Sequence, residues 1–128
     1  MLLALLLSAA PAAHGANVTL TTLTAPAGAM RGIATSSYRM FAGVPYAEPP
    51  VGARRWRAPT PRAPWSGVRD TLSYGSSCVQ PTPFDPAMGA QSEDCLFLNV
   101  YAPPLAASNA GAAAAVLVWF HGGSVLPG

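Results

Sequence analysis

Apolar and polar side chains alternate at the start of the patterned part of the chain, where Val18, Leu20 and Thr22 alternate with Thr19, Thr21 and Leu23. This period of two predicts a half-exposed β-strand. Residues 25–32 are expected to form a turn, and a second short strand is predicted around residues 38–41. Prolines and glycines then exclude a helix and favour an extended path: Gly43, Pro45, Pro49, Pro50 and Gly52. From there to residue 89 the chain is expected to be mostly loop.

Two further strands are predicted in the second half of the chain. Leu96, Leu98 and Val100 share one face of residues 94–102, and the other face is also apolar, so this strand is expected to be covered on both sides. Residues 103–114 are predicted to be a surface connector. Residues 115–120 form an unbroken apolar run ended by two glycines, which predicts a central strand leading into a tight loop.

The first sixteen residues, MLLALLLSAAPAAHGA, carry a leucine-rich run followed by small residues. This is the layout of a secretory signal peptide, and the run is shorter than the roughly 20 apolar residues that span a bilayer. We therefore predict a signal peptide over 1–16, no stable membrane span and an exported product from residue 17 onward. Asn17 begins an N-glycosylation sequon, Asn-Val-Thr. A buried helix or strand is the alternative for residues 1–16.

Composition indicates a small core, and charge argues against a nucleic-acid partner. The hydrophobic share is 51%, but 25 of the 128 residues are alanine, which buries little area, and glycine and proline together account for 26. The net charge is only +2, with four arginines gathered around Trp56: Arg54, Arg55, Arg57 and Arg62. Nucleic-acid surfaces are usually broad and strongly basic, so solvated or ion-paired arginines are the favoured interpretation.

The chain has two cysteines, Cys78 and Cys95. An even count in an exported chain favours a disulfide over a metal site, with two reduced, separately buried thiols as the alternative. No metal or cofactor is implied.

The candidate chemistry lies where the last apolar run meets His121, Gly122 and Gly123. Glycines let an anion approach the backbone N–H groups closely, and such groups stabilise the oxyanion that develops in acyl transfer. Taken alone, such a sequence after an apolar strand is more often a plain turn than an oxyanion site.

Four ordered blocks resemble the type-B carboxylesterase and cholinesterase-like family of α/β hydrolases. They are FAGVPYAEPPVGARRW (41–56), WSGVRDTLSYGSSCVQ (65–80), SEDCLFLNVYAP (92–103) and VLVWFHGGSVLPG (116–128). The resemblance implies an α/β fold, of which residues 17–128 supply the N-terminal strands and loops, truncated after the oxyanion-hole loop.

The resemblance also implies roles for individual residues. The backbone N–H groups of Gly123 and Ser124 would be the oxyanion donors, with Gly122 shaping the turn, and His121 is not the catalytic histidine. A third glycine is common where Ser124 stands, and an aromatic residue is common where Val125 stands. Cys78 and Cys95 match the family's first disulfide, and Arg55 and Glu93 match a structural ion pair.

The family's nucleophile sits in a G-x-S-x-G elbow, and no serine in this sequence has that context. No catalytic triad residue is therefore expected here, and the chain alone is expected to be inactive. The resemblance implies that the complete protein, whose export is predicted from residues 1–16, is a serine hydrolase acting on small-molecule carboxylic esters. A non-catalytic adhesion or binding domain is the alternative. The oligomeric state stays open.

Overall fold

The computed structural model describes residues 18–80, 90–104 and 114–120. Over these residues the regular elements are seven strands and one 3-10 turn: β1 (Thr19–Ala25), β2 (Gly28–Ala34), β3 (Arg39–Pro45), the 3-10 turn (Gly52–Arg54), β4 (Val68–Asp70), β5 (Ser77–Cys78), β6 (Gln91–Ser92) and β7 (Phe97–Ala102). The main sheet has the order β1-β2-β3-β7, with β4 paired to β2, while β5 and β6 form a separate parallel pair.

The alternating segment at the start of the chain is a strand, as predicted. β1 pairs antiparallel with β2 from Thr19 opposite Ala34 to Ala25 opposite Gly28. The turn predicted over residues 25–32 was wrong in extent, because the turn occupies only Pro26 and Ala27. A two-residue turn lets the chain reverse directly into an antiparallel partner, so Gly28 already belongs to the second strand.

β2 changes partner halfway along its length. Its second half pairs antiparallel with β3 at Ile33–Met40 and Ala34–Arg39. Its first half pairs in parallel with β4. The segment that follows β4 continues toward β3, where Leu72 forms an isolated bridge to Ala42. Residues 68–72 therefore lie between two strands that separate from each other.

Thr71 makes the hydrogen bonds at the centre of this insertion. Its backbone N–H and its hydroxyl both donate to the Arg31 carbonyl, at 2.8 and 2.9 Å. Its own carbonyl accepts the N–H of Ala42 at 2.9 Å. Only 1% of Thr71 is exposed to solvent. One buried residue thus bonds to both separating strands, which satisfies polar groups that would otherwise be buried without partners.

An ion pair lies beside Thr71. Arg31 and Asp70 are direct neighbours across β2 and β4, and the guanidinium meets the carboxylate at two points, Nε to Oδ1 at 2.6 Å and Nη2 to Oδ2 at 2.8 Å. The hydrogen bonds from Arg31 hold the pKa of Asp70 below its usual value. Both side chains are about half exposed, so the pair fixes the register of the two strands more than it adds stability.

The core is small and lies against β2 and β3. Met30, Phe41 and Val44 form it, with Ala25 and Trp65 packed alongside. The indole N–H of Trp65 donates to the Ala29 carbonyl at 2.8 Å, which ties the ring to the edge of β2.

A bulge interrupts the pairing of β3 with β7. The register shifts between Phe41 and Val44, and Gly43, at the bulge, has a φ of +68°. The Asn99 side-chain carbonyl accepts the Gly43 N–H at 2.9 Å. The glycine supplies a conformation that other residues adopt at a cost, and Asn99 satisfies a donor that the ladder leaves unpaired.

Three other expectations from the sequence were wrong. A 3-10 turn forms at Gly52–Arg54, because Gly52 takes a φ of +55° and starts a tight turn in the proline-rich stretch. β7 is not covered on both faces, since Leu98, Val100 and Tyr101 are 37–57% exposed. Residues 114–120 have no strand pairing and are exposed. A central strand requires neighbours on both edges, and none of the described strands lies beside this segment.

Among residues 18–80, 90–104 and 114–120, no helix has the length and apolar character needed to cross a lipid bilayer.

Gly32 tests the packing of Phe41 on β2. A Cβ at Gly32 would lie 2.3 Å from the Met40 carbonyl oxygen and 2.6 Å from the Phe41 ring. Gly32→Ala is therefore expected to lower the free energy of unfolding by about 1–3 kcal/mol through overpacking. Urea denaturation followed by circular dichroism measures the loss. Thr22→Ala, on an exposed position of β1, is the control and is expected to stay within about 0.5 kcal/mol. A Gly32→Ala protein as stable as the wild type would contradict this packing.

Candidate functional site

The residues predicted to form the oxyanion loop, His121, Gly122, Gly123 and Ser124, lie outside the described residues. The same holds for the predicted signal peptide over 1–16 and for the glycosylation candidate Asn17. The apolar run that precedes the loop is described, and its largest side chains are 66–90% exposed: Val116, Leu117, Val118, Trp119 and Phe120.

Arg55 lies in a region that we call the arginine loop (residues 46–63), while the other predicted site residues that the structure describes, Cys78, Glu93 and Cys95, lie outside it. The two ends of this loop are closed by backbone hydrogen bonds. The N–H of Glu48 donates to the Thr60 carbonyl at 2.8 Å, and the N–H of Arg62 donates to the Tyr46 carbonyl at 3.4 Å. An antiparallel bridge joins Ala47 to Pro61 between them.

Glu48 holds the base of the arginine loop together. One carboxylate oxygen accepts a hydrogen bond from the Arg62 guanidinium at 2.7 Å, and the other accepts the N–H of Ala63 at 2.9 Å. The side chains are 17% exposed for Glu48 and 29% for Arg62. The Ala63 N–H, together with the nearby Arg62 and Arg54 guanidinium groups, holds the pKa of Glu48 below its ordinary value. Each oxygen of the Glu48 carboxylate therefore accepts a hydrogen bond that stabilises its ionised form.

Arg55 and Glu93, predicted as a structural pair, lie 2.8 Å apart between Nη2 and Oε1. The pair links the tip of the arginine loop to the segment before β7. Both side chains are 42–51% exposed, and the Arg55 guanidinium also lies 5.9 Å from the centre of the Trp56 ring. Trp56 has a φ of +59° and is 96% exposed, so this cation–π contact is formed at the surface.

Cys78 and Cys95 form a disulfide, with their Cα atoms 5.0 Å apart. It lies next to the parallel pairing of β5 with β6, in which Cys78 is opposite Ser92. Two residues before Cys95 stands Glu93, the partner of Arg55. The disulfide and the ion pair therefore hold the same short segment, residues 93–95, to two different parts of the chain.

A shallow cavity lies beneath the arginine loop. It is lined by Glu48, Pro50, Arg54, Arg57, Ala58, Pro59, Thr60 and Leu96. Its one carboxylate is that of Glu48, which is already bonded to Arg62 and Ala63, and its lining includes no serine, cysteine or histidine. No group of three or more histidine, cysteine or acidic side chains in the described part of the chain could hold a metal ion. The described side chains of this region therefore brace the fold.

The sequence patterns did not predict the Glu48–Arg62 pair or the insertion at Thr71. Glu48 and Arg62 are 14 positions apart, beyond the reach of any helical or strand periodicity. The only available signal was a lone acidic residue in a proline-rich stretch that also carried four arginines. Thr71 carries no sequence signal of its own, because its role follows from the separation of β2 and β3.

Known proteins resemble this chain over most of its length. The sequence profile of the carboxylesterase family matches residues 18–128. Phenmedipham hydrolase of Pseudarthrobacter oxydans is 46% identical over 109 residues, which are 80% of this chain and 21% of that protein. Para-nitrobenzyl esterase of Bacillus subtilis (strain 168) is 40% identical over 101 residues, 76% of this chain and 20% of that protein. The chain spans about a fifth of the length of these relatives.

The fold of this chain is also similar to that of solved esterase structures. A PNB esterase superposes with a TM-score of 0.61 at 38% identity, covering 66% of this chain and 18% of the other. A second structure, titled a thermophilic PNB esterase, gives the same values. The predicted architecture, N-terminal strands and loops of an α/β-hydrolase fold, is confirmed by this likeness.

The disulfide is expected to contribute measurably to the free energy of unfolding. It joins residues 17 positions apart, and closing such a loop stabilises a protein by about 3 kcal/mol through the entropy of the unfolded chain. The double variant Cys78→Ala/Cys95→Ala is expected to lose about this amount in urea denaturation. Each single alanine variant should lose a similar amount, because either one opens the loop. Equal unfolding midpoints for the oxidised and the reduced wild type would contradict the prediction.

Acid should weaken the arginine loop through Glu48. The pKa of Glu48 is lower in the folded protein than in the unfolded chain, so the unfolded chain binds more protons at acid pH. The stabilisation is fully present above the ordinary glutamate value of about 4.3 and is lost as pH falls through the folded pKa. As the pH falls below about 4.3, the free energy of unfolding of Glu48→Gln should therefore decrease less steeply than that of the wild type.

Urea titrations at a series of acid pH values measure this difference. Thr60→Ala removes an exposed side chain without touching the carboxylate and is expected to keep the wild-type pH dependence. Identical slopes for the wild type and Glu48→Gln would show that Glu48 does not carry the effect.

Proposed function

The chain belongs to the carboxylesterase family, and from this premise we propose that the complete protein hydrolyses carboxylic esters through a serine acyl-enzyme. One observation carries the proposal: relatives 40–46% identical to this chain are named for hydrolysis, a phenmedipham hydrolase and a para-nitrobenzyl esterase. No feature of the described residues favours the non-catalytic adhesion alternative. The substrate class proposed is a small-molecule carboxylic ester.

In this proposal the chain contributes the oxyanion half of the active site. The family match extends through residues 121–124. The backbone N–H groups of Gly123 and Ser124 donate to the carbonyl oxygen as it gains negative charge, and Gly122 shapes the turn. Donors placed in advance of the reaction require no reorganisation when the charge develops, which makes this kind of stabilisation effective.

The nucleophile, the acid and the catalytic histidine are proposed to come from sequence that follows the oxyanion loop. None of the serines in these 128 residues lies in a G-x-S-x-G elbow. In this family of folds the serine, acid and histidine follow the loop in chain order. Residues 17–128 are then one part of a carboxylesterase domain, and by themselves they have no hydrolytic activity.

Export is the second part of the proposal. The signal-like segment at 1–16 and the sequon at Asn17 agree with the disulfide between Cys78 and Cys95, because disulfides persist in oxidising compartments. The protein is proposed to be secreted or held within the secretory pathway. The Arg55–Glu93 pair is proposed to position the arginine loop and not to take part in catalysis.

Ser124 allows a direct test of the oxyanion role. Ser124→Pro removes the backbone donor, and in the complete gene product it should reduce kcat for para-nitrophenyl butyrate by about 100- to 1,000-fold. Ser124→Ala keeps the N–H and removes only the hydroxyl, so it should stay close to wild-type activity. Ser124→Gly restores the residue common in the family and should also remain active.

Thermal unfolding of each variant shows whether the fold is intact. A folded Ser124→Pro enzyme with wild-type kcat would rule out the Ser124 N–H as a donor. A folded Ser124→Ala enzyme as inactive as Ser124→Pro would place the function in the hydroxyl instead. A complete gene product that hydrolyses no short-chain ester would overturn the esterase proposal itself.

A further inference from the structure

Three of the four tyrosines of the chain lie close together, Tyr101 in β7 and Tyr38 and Tyr74 in the segments that contact it. The hydroxyl groups of Tyr74 and Tyr101 are 2.6 Å apart. The ring of Tyr38 lies 6.0 Å from that of Tyr101, with the planes inclined by 58°. The exposed fractions are 41% for Tyr38, 64% for Tyr74 and 57% for Tyr101. The proposed ester hydrolysis uses none of these phenols.

Tyr74 is held in place by the backbone on either side of it. A Cβ on Gly43 would lie 2.7 Å from the Ser73 carbonyl, and a Cβ on Gly75 would lie 2.4 Å from the Phe97 ring. The chain before and after Tyr74 is therefore packed closely against β3 and β7. Tyr101 is fixed by its position in β7, where it pairs with Met40. The contact between the two hydroxyls joins two positioned side chains that are 27 residues apart in sequence.

We propose that Tyr74 and Tyr101 are a site of oxidative cross-linking, at which a peroxidase and hydrogen peroxide join the two rings as dityrosine. In dityrosine the new carbon–carbon bond lies beside both hydroxyl groups, which brings the two oxygens within hydrogen-bonding distance of each other. The folded chain already places the oxygens at that distance. Holding two reacting groups in position makes their reaction effectively unimolecular and favours it over encounters between molecules.

The reaction balances with hydrogen peroxide as the oxidant. Each phenol gives up one electron and its hydroxyl proton, and the peroxide takes up two electrons and two protons to become two molecules of water. The unpaired electron of each phenoxyl radical is shared with the ring carbons next to the oxygen, where the carbon–carbon bond forms. The hydrogen on each bonded carbon then moves to oxygen, which restores both phenols. The protein loses two hydrogens in total.

Two further features favour this reaction. The hydrogen bond with Tyr74 raises the pKa of Tyr101, so the contact between two neutral hydroxyl groups persists at neutral pH. Both cysteines of the chain are held in the disulfide, so no thiol competes for the oxidant.

The test treats dilute protein with a haem peroxidase and hydrogen peroxide. Intact-mass measurement of the monomer is expected to show the loss of two hydrogens, with the blue fluorescence of dityrosine. Peptide mapping should find a cross-link between the peptides that contain Tyr74 and Tyr101. The same treatment in concentrated urea should give no such monomeric product, because the contact depends on the fold.

Conservative variants separate the proposed pair from the other tyrosines. Tyr74→Phe and Tyr101→Phe each remove one hydroxyl and should reduce the monomeric cross-link to background. Tyr46→Phe is the matched control, because Tyr46 is 49% exposed but makes no contact with another tyrosine among the described residues. It should react like the wild type. A cross-link that maps to Tyr38 with Tyr101, one that survives in Tyr74→Phe, or a product found only as dimers would overturn the proposal.

Discussion

The bonds of Thr71 to two separating strands are the constraint on which the rest of the described fold depends. β2 and β3 pair only near Ile33 and Ala34 and then diverge, and the gap exposes backbone groups that have no antiparallel partner. Thr71 satisfies them from both sides, through the Arg31 carbonyl and the Ala42 N–H. A buried backbone group without a partner costs free energy comparable to a lost hydrogen bond, so β2 and β3 can separate only where another segment takes their bonds.

The separation of β2 and β3 determines the contacts of β3 and of the arginine loop that follows it. β3 is bonded to Thr71 on one side and to β7 on the other. These bonds hold the bulge at Gly43 in place. They also determine the direction in which the chain continues from Pro45 into the arginine loop. Glu48 closes that loop from within through Arg62 and Ala63. The disulfide and the Arg55–Glu93 pair then hold the segment that enters β7. The residues proposed to bind the oxyanion follow β7 in the chain.

The sequence predicted those features that depend on local pattern or on family resemblance. The alternation from Val18 to Leu23 gave β1, and the resemblance gave the fold and the partners of Cys78 and Arg55. The sequence did not predict features that depend on residues distant along the chain. The apolar run at 115–120 has the pattern of a central strand, yet pattern cannot form a strand without adjacent strands to accept its hydrogen bonds. Residues 25–32 were expected to form a turn, but Gly32 lies within β2, where it leaves space for Phe41 to pack.

Hydrogen–deuterium exchange, resolved at single amides by NMR, tests most directly whether Thr71 organises this fold. The amides of Thr71 and Ala42 both donate within the insertion and should be among the slowest to exchange, because they open only when the sheet itself unfolds. The amide of Ala58, in the exposed part of the arginine loop, should exchange much faster. If the amides of Thr71 and Ala42 exchange as fast as that of Ala58 while the amides of β1 and β2 remain protected, the sheet forms without the insertion and Thr71 does not organise the fold.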